Sequence, residues 1–376
     1  MSKDNHVKKI VFNLVQDIAT PHNNILIEQL AEHPETLTNL WYAQRQDISR
    51  YQWATDINGV NNDDAFYGNR LNFNFLWKCI RKKRERFVIV GWMNTNTRLL
   101  HFIFFCIRRP YNHWTDNPNP MLGGMGFKDR ALRWLAYKIL KFSRCKVFCV
   151  GKTTIDYFKS IGFSEDRLVN LPIFVNLEND KSHYLNQRTV VREHYNIPAD
   201  CFMLSAGSRL IKEKGYDLLI QAISELPINI RQCLHLIIVG SGAESDNLHR
   251  KAVETGLKDQ VHFDKWLEIE DFKTLIACSD IFLHPARFDS YGGTTLGMAL
   301  GVPVVGSTGA GAAVDRIEHG VNGFLYAPDD TQALGYYISQ LISDPELRAR
   351  IGAAGRQTAL KWHPRRGVET ILHNSV

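Results

Sequence analysis

At 376 residues the chain is too long for one ordinary hydrophobic core and fits two domains of roughly 150–200 residues each. Its 44% hydrophobic and 22% charged residues are those of a soluble globular protein. The seven cysteines, odd in number and without a C-x-x-C pair, argue against a disulfide framework, and no metal-ligand spacing occurs. They read as reduced core residues of a cytoplasmic protein.

In chain order, "KKIVFNLVQ" (8–16) is short and interrupted by Asn13, so it reads as a first strand rather than a secretory leader. "RFVIVGW", "KVFCVG" and "RLVNLPIF" are further β-rich runs of the first half, each beside a helical pattern. The cluster "IRKKRERF" (80–87) reads as a solvated face. The apolar run "LLHFIFFCI" (99–107) is about half as long as a spanning helix requires. "RALRWLAYKILKF" (130–142) predicts a helix with Arg130, Arg133, Lys138 and Lys141 on one face with Trp134 and Tyr137, and Leu132, Leu135, Ile139 and Leu140 on the other. The polar stretch 175–201, with Pro198, reads as a linker. Beyond it "CFMLSAG", "LHLIIVGSG", "QVHFDKW", "DIFLHPA", "VPVVGST" and "GFLYAP" alternate with helices, which implies parallel sheets covered on both faces. Near the end Pro364 breaks one helix and starts another. The expected domains are 1–175, completed by a helix in 361–376, and 176–360.

Charge divides unevenly between these halves. Residues 1–175 hold 25 Lys and Arg against 15 Asp and Glu, a balance of +10, leaving 20 against 24, or −4, for residues 176–376. Opposite signs suggest two partners, with only the first half drawn to an anionic surface.

In "SAGSRLIKEKGYDLLIQAI" (205–223), a predicted strand ends in small residues and a helix follows, with Arg209, Lys212 and Lys214 between them. Like charges there call for an anion. An arginine fork and mobile lysine charges suit a diphosphate, and the helix start adds free N–H groups. Gly240-Ser241-Gly242 ends another strand before a helix, a weak signal alone. In "HPARFDSYGGTTLGMALGVPVV", Asp289 leads through Ser290 and Tyr291 to Gly292, Gly293 and Thr294, where glycines permit close approach of backbone to a ligand.

Taken in order, these stretches resemble the second domain of the retaining glycosyltransferases of family 4, the glycosyl transferases group 1 type, over residues 200–360. The family's glycine–arginine, lysine–glycine pattern reads here Gly207-Ser208-Arg209 and Lys214-Gly215. "VHFDKW", "SDIFLHPARFDSYGG", "GVPVVGS" and "GVNGFLYAP" follow in the family's order and spacing. The first 175 residues match less closely. The resemblance implies a GT-B fold, α/β with two Rossmann-like doubly wound domains facing each other across a cleft, and transfer of a sugar from a nucleotide-sugar with retained configuration. On it, Arg209 and Lys214 hold and stabilise the departing diphosphate, and Asp289 stands in for the first of two signature glutamates, near the donor sugar. Gly297 occupies the position of the second, the usual ribose contact, so that contact is in doubt. No D-x-D tripeptide occurs, so no metal is invoked and no cofactor is expected.

Simpler readings stand beside these. Asp289 suits an Asx turn, and Gly292 and Gly293 suit a tight turn. His113, in "YNHWTDNP" after a predicted strand, is either the family's histidine near the sugar or a structural one. Trp266 is either packing or a contact to the base. The base itself is open among uridine, guanosine, dTDP and ADP donors, with a UDP-sugar placed ahead of a GDP-sugar. A glycan or lipid-linked acceptor in surface polysaccharide or lipopolysaccharide synthesis is expected, with peripheral contact to the inner face of the cytoplasmic membrane through the basic half and no nucleic acid. The alternatives are a non-catalytic nucleotide- or glycan-binding protein on this fold, or a phosphorylase or epimerase with a soluble substrate.

Overall fold

The computed structural model describes residues 9–16, 21–43, 60–67, 70–91, 94–118 and 127–376. The chain divides into two units, Met1–Phe174 with Pro364–Val376, and Val175–His363.

In the first unit, β1 (Ile10–Gln16), α1 (Pro21–Glu32), β2 (Thr36–Tyr42) and β3 (Asn61–Asp64) are followed by a small hairpin, β4 (Phe66–Tyr67) and β5 (Arg70–Leu71). Then come α2 (Phe73–Arg81), β6 (Arg86–Val90), α3 (Thr95–Cys106), β7 (Tyr111–Thr115), α4 (Phe127–Phe142), β8 (Cys145–Cys149), α5 (Lys152–Ser160) and β9 (Leu168–Asn170). Seven strands form a parallel sheet in the order β3-β2-β1-β6-β7-β8-β9. Asn13, the polar interruption of the first strand, is buried and fully used. Its amide donates to Glu85 at 2.9 Å, and its oxygen accepts from Asn39 at 3.3 Å and the Trp41 indole at 3.1 Å.

In the second unit, α6 (Lys181–Tyr184) and α7 (Arg188–His194) precede β10 (Phe202–Gly207), α8 (Tyr216–Ser224), α9 (Ile228–Arg231), β11 (Leu234–Val239), α10 (Ser245–Glu254) and β12 (Val261–Asp264). After these come α11 (Ile269–Cys278), β13 (Ile281–His284), α12 (Thr294–Leu300), β14 (Val304–Ser307), α13 (Gly311–Arg316), β15 (Phe324–Tyr326), α14 (Thr331–Ser343) and α15 (Pro345–Leu360). The parallel sheet runs β12-β11-β10-β13-β14-β15. Every residue of β11, "LHLIIV", is buried, as expected of a strand covered on both faces. The last helix, α16 (Pro364–Asn374), returns to the first unit, where Gly367 lies against Phe174 and Leu26.

Two sequence expectations need correction, those of the linker and of the 130–142 helix, and two further features are not legible in the sequence. The presumed linker 175–201 carries α6 and α7 and belongs to the second unit. Leu177 and Tyr184 are buried there, and Arg188 pairs with Asp280 at 2.9 Å. "TLTNLWY" forms β2 although Thr36, Thr38 and Asn39 interrupt any apolar pattern; all three are buried in the sheet instead of facing solvent.

The faces of the 130–142 helix also differ. Ala136 and Leu140 face the core, Tyr137 is half-buried against Phe158, and Leu132 and Leu135 are exposed. The core therefore meets α4 roughly a quarter turn away from both the cationic and the leucine-rich faces. Both faces become flanks, the cationic one toward α5. Finally, Arg109, a cation following the apolar run 99–107, is buried. It lies over the Phe87 ring and donates to the carbonyls of Cys79, Lys82 and Glu85.

Candidate functional site

The order of the second sheet reverses between β10 and β13, and the C-terminal ends of such strands form a crevice where ligands bind in open α/β sheets. Both loops singled out in the sequence leave the sheet there. After Gly207, at the end of β10, Ser208 bonds the buried Tyr216 hydroxyl at 2.6 Å, fixing the loop to the first turn of α8. The exposed Arg209 makes no side-chain hydrogen bond or ion pair among the described residues. Lys212–Lys214 form one 3-10 turn that ends at Gly215, whose φ of +70° and 2.0 Å approach of a would-be Cβ to the Pro285 carbonyl leave room for glycine alone.

Lys214 turns inward. Its ammonium meets Asp289 Oδ2 at 2.6 Å, each side chain only 11% exposed, so one anion that the basic loop demands is supplied by the chain itself. The same oxygen lies 3.1 Å from His284 Nε2, and His284 Nδ1 lies 2.8 Å from the Thr294 hydroxyl. An ionised carboxylate only accepts, so Nε2 carries the proton toward Asp289. Burial alone would raise the carboxyl pKa of Asp289. The Lys214 charge and the His284 hydrogen bond outweigh it and hold the group well below the usual carboxylate range.

The backbone fixes Asp289 as well. Its N–H donates to Gly309 and its carbonyl accepts from Gly311, both at 2.9 Å, and its Oδ1 accepts from the Tyr291 N–H at 3.4 Å. Gly292, at φ +85°, lets the chain pass where a Cβ would strike His284 and Asp289. Ser290 and Gly293 sit half-exposed on either side of the buried Tyr291, whose hydroxyl bonds Asp315 and Arg316.

Two residues that sequence reasoning passed over lock this arrangement. Arg287 makes a forked pair with Asp217 at 2.6 and 2.8 Å and also donates to the Lys212 carbonyl, tying the β13 loop to α8. Burial would raise the Asp217 pKa, but the Arg287 bonds lower it. His284 is the other, and its signal was a histidine ending an apolar strand five residues before the key aspartate.

The remaining expected residues divide. Gly240 and Gly242 end β11 beside the same loop, against the backbones of Ser208 and Leu210 respectively. Trp266 follows β12 and is half-buried. Gly297 lies inside a wholly buried α12, where an added Cβ would stand 2.9 Å from both Phe282 and Val304. A carboxylate there would enter the core, so position 297 is no vacant ribose contact. His113 is not after a strand but within β7, fully buried. Its Nδ1 lies 3.3 Å from the Ile89 carbonyl, and burial lowers its pKa to about 4. Its ring packs edge-on against His101, which is a structural setting. Asp116 and Asn117 leave β7 half-buried, while Asn119 and Pro120 of that loop lie outside the described residues.

A Rossmann-like unit with a basic loop and a buried carboxylate at its switch point has the form of a nucleotide-binding domain. Residues 162–358, just over half of the chain, match the family described as Glycosyl transferases group 1, and the chain belongs to that family. Lipopolysaccharide core biosynthesis glycosyltransferase LpsE of Rhizobium meliloti is 28% identical over 180 residues, 48% of this chain and 51% of that protein. A GDP-mannose-dependent monoacylated alpha-(1-6)-phosphatidylinositol monomannoside mannosyltransferase of Corynebacterium glutamicum is 30% identical over 215 residues, 55% of each. The chain thus spans about half the length of these curated relatives. Among solved structures, Anabaena Alr3699/HepE in complex with UDP superimposes with a TM-score of 0.75 at 20% identity, covering 97% of this chain and 98% of that one. The fold is GT-B, with two Rossmann-like domains.

Proposed function

We propose that the protein transfers a sugar from a nucleoside diphosphate sugar to a glycan or lipid-linked acceptor in surface polysaccharide or lipopolysaccharide synthesis. The observation that carries this reading is the Lys214–Asp289 pair at the switch point of the second sheet, with Arg209 on the same loop, in the region that matches the family. Names of relatives support the acceptor class, and the donors they name divide, GDP-mannose for the Corynebacterium relative and UDP for the Anabaena neighbour.

In the proposed reaction, negative charge builds on the diphosphate as the glycosidic bond breaks. Arg209, open to solvent, and Lys214, with three donors of which Asp289 takes one, stabilise that charge in place of a metal ion. Asp289 stays ionised beside the sugar and favours positive charge at the anomeric carbon, held in orientation by His284. The configuration is retained. Peripheral membrane contact is part of the same proposal. It is supported by the +10 balance of residues 1–175 and by exposed Leu99, Phe102 and Phe105 on α3 and Leu132, Trp134 and Leu135 on α4. No helix among the described residues is long and apolar enough to cross a membrane.

The test is transfer from labelled UDP-, GDP-, dTDP- and ADP-sugars to a bacterial membrane extract, with and without EDTA, with the product anomer read by NMR. Transfer from one donor, unaffected by EDTA, with the donor's configuration kept and kcat lost in Asp289→Asn, is the expected result. Nucleotide binding without transfer from any donor would favour a non-catalytic role, and an inverted product would overturn the mechanism.

A further inference from the structure

Between α4 and α5 of the first unit lies a hollow of about 360 Å³, within the range of small-molecule sites. Four cations line it, Arg130, Arg133, Lys138 and Lys141, and among the described residues no carboxylate does. Its walls are Trp134, Tyr137, Tyr157 and Phe163. This is the cationic flank of α4, bordered by α5, with Arg130, Trp134 and Lys138 exposed to solvent.

Several neighbours hold the cations there. The Lys138 ammonium stands 5.3 Å from the centre of the Trp134 ring. Lys141 reaches the Ile161 carbonyl at 3.3 Å through space that only glycine at 162 leaves open, since a Cβ there would lie 2.5 Å from its ammonium. Arg167 covers the Leu140 and Lys141 carbonyls, so the end of α4 is satisfied without Lys141. Among the described residues, Arg130, Lys138 and Lys141 make no ion pair with a carboxylate. Among the described residues, Asp116 contributes to raising the Tyr137 hydroxyl pKa, after burial and Tyr157.

Concentrated positive charge in a concavity with aromatic walls fits a multiply charged anion that carries an organic part. Guanidinium forks pair with phosphate oxygens, and an indole face covers carbon. We propose that this hollow binds a phosphate ester, its phosphate between Lys138 and Lys141 and its organic portion against Trp134. The site is separate from the switch point of the second unit, and the proposal does not rest on the glycosyltransferase reading. The ester comes either from a membrane lipid headgroup or from a soluble metabolite.

The experiment uses the full chain at 0.1 M salt, with and without UDP to occupy the second unit. One arm measures sedimentation with phosphatidylglycerol and phosphatidylcholine vesicles; the other titrates glycerol 3-phosphate and glucose 1-phosphate by calorimetry. Lys138→Glu/Lys141→Glu is compared with Lys83→Glu/Arg84→Glu, an equal charge change at exposed positions outside the hollow. Trp134→Ala, which keeps every charge, is the third variant. The expected result is binding in at least one arm, weakened ten-fold or more by the first pair, less than three-fold by the second, and measurably by Trp134→Ala. Binding to phosphatidylglycerol alone identifies a lipid headgroup, and binding in solution alone a soluble ester. Absence of binding in both arms, or equal weakening by both charge pairs, would overturn the proposal. UDP binding should be unchanged throughout, so failure here is distinct from failure at the second unit.

Discussion

Replacing Lys214 by alanine should destabilise the second unit, whereas replacing Arg209 should not. Sequence alone suggested that both basic residues face a ligand. The structure separates them, because Lys214 is the partner of a nearly buried carboxylate at 2.6 Å and Arg209 is exposed. At an effective dielectric of 20 the gross attraction at that distance is roughly 6 kcal/mol, most of it offset by desolvation. Removing one partner of a buried pair costs about 3–5 kcal/mol, because the other charge stays behind. His284 remains at 3.1 Å and softens the loss, which places the expectation near the lower bound, about 3 kcal/mol. In a unit of this size that corresponds to a fall of roughly 6–12 °C in Tm. Scanning calorimetry of the full chain should show the drop in the transition of the second unit. Lys214→Ala/Asp289→Asn should recover a large part of it, since the amide carries no stranded charge. Turnover should fall on the order of 10²-fold in both Arg209→Ala and Lys214→Ala. A Lys214→Ala protein that melts within about 2 °C of wild type would refute this account of the pair.

Gly297→Ala should lower stability by about 1–3 kcal/mol through overpacking against Phe282 and Val304, and Gly297→Glu by more, with no gain in nucleotide affinity by calorimetry. Acid should weaken the first unit because His113 is buried neutral, its pKa lowered to about 4 by burial. The unfolded chain binds the proton first, so the associated stability is complete above about pH 6.5 and lost as pH falls toward 4, an effect on the order of 3 kcal/mol. Urea midpoints across pH 4–8 would show it, and His113→Gln should reduce the slope, leaving the part due to the adjacent buried His101, whose pKa burial also lowers. The basic unit should sediment with anionic but not neutral vesicles, and 0.5 M salt should release it because exposed charges are screened. Binding indifferent to salt would leave the +10 balance without a role.

Much of the second unit was legible because its strands are continuous buried Val, Ile and Leu runs punctuated by glycines that the turns require. The cation loop and Asp289 could be read as belonging to one site from their order. That Asp289 directly pairs with Lys214 could not, since the contact joins residues 75 positions apart across the switch between β10 and β13. His284 was hidden by its apolar surroundings, and the Arg287–Asp217 fork by the same long separation. The direction of Gly297 depends on how α12 is rotated over β13 and β14, which motif spacing does not encode. In the first unit, β2 was obscured by buried polar residues, and the faces of α4 were assigned from amphipathicity although neighbours on both flanks decide which stripe meets the core.

The most direct test of the central claim is titration of UDP into the wild-type chain and into Arg209→Ala, in EDTA, by calorimetry and thermal shift. At one hundred times Kd the ligand should stabilise wild type by about 2.7 kcal/mol, raising the transition of the second unit by several degrees. Arg209→Ala should keep the wild-type melting temperature without ligand and require at least ten-fold more UDP for the same shift. If UDP, GDP, dTDP and ADP all leave wild type unshifted, or if UDP binds Arg209→Ala as tightly as wild type, the basic loop of the second sheet does not hold a nucleotide diphosphate.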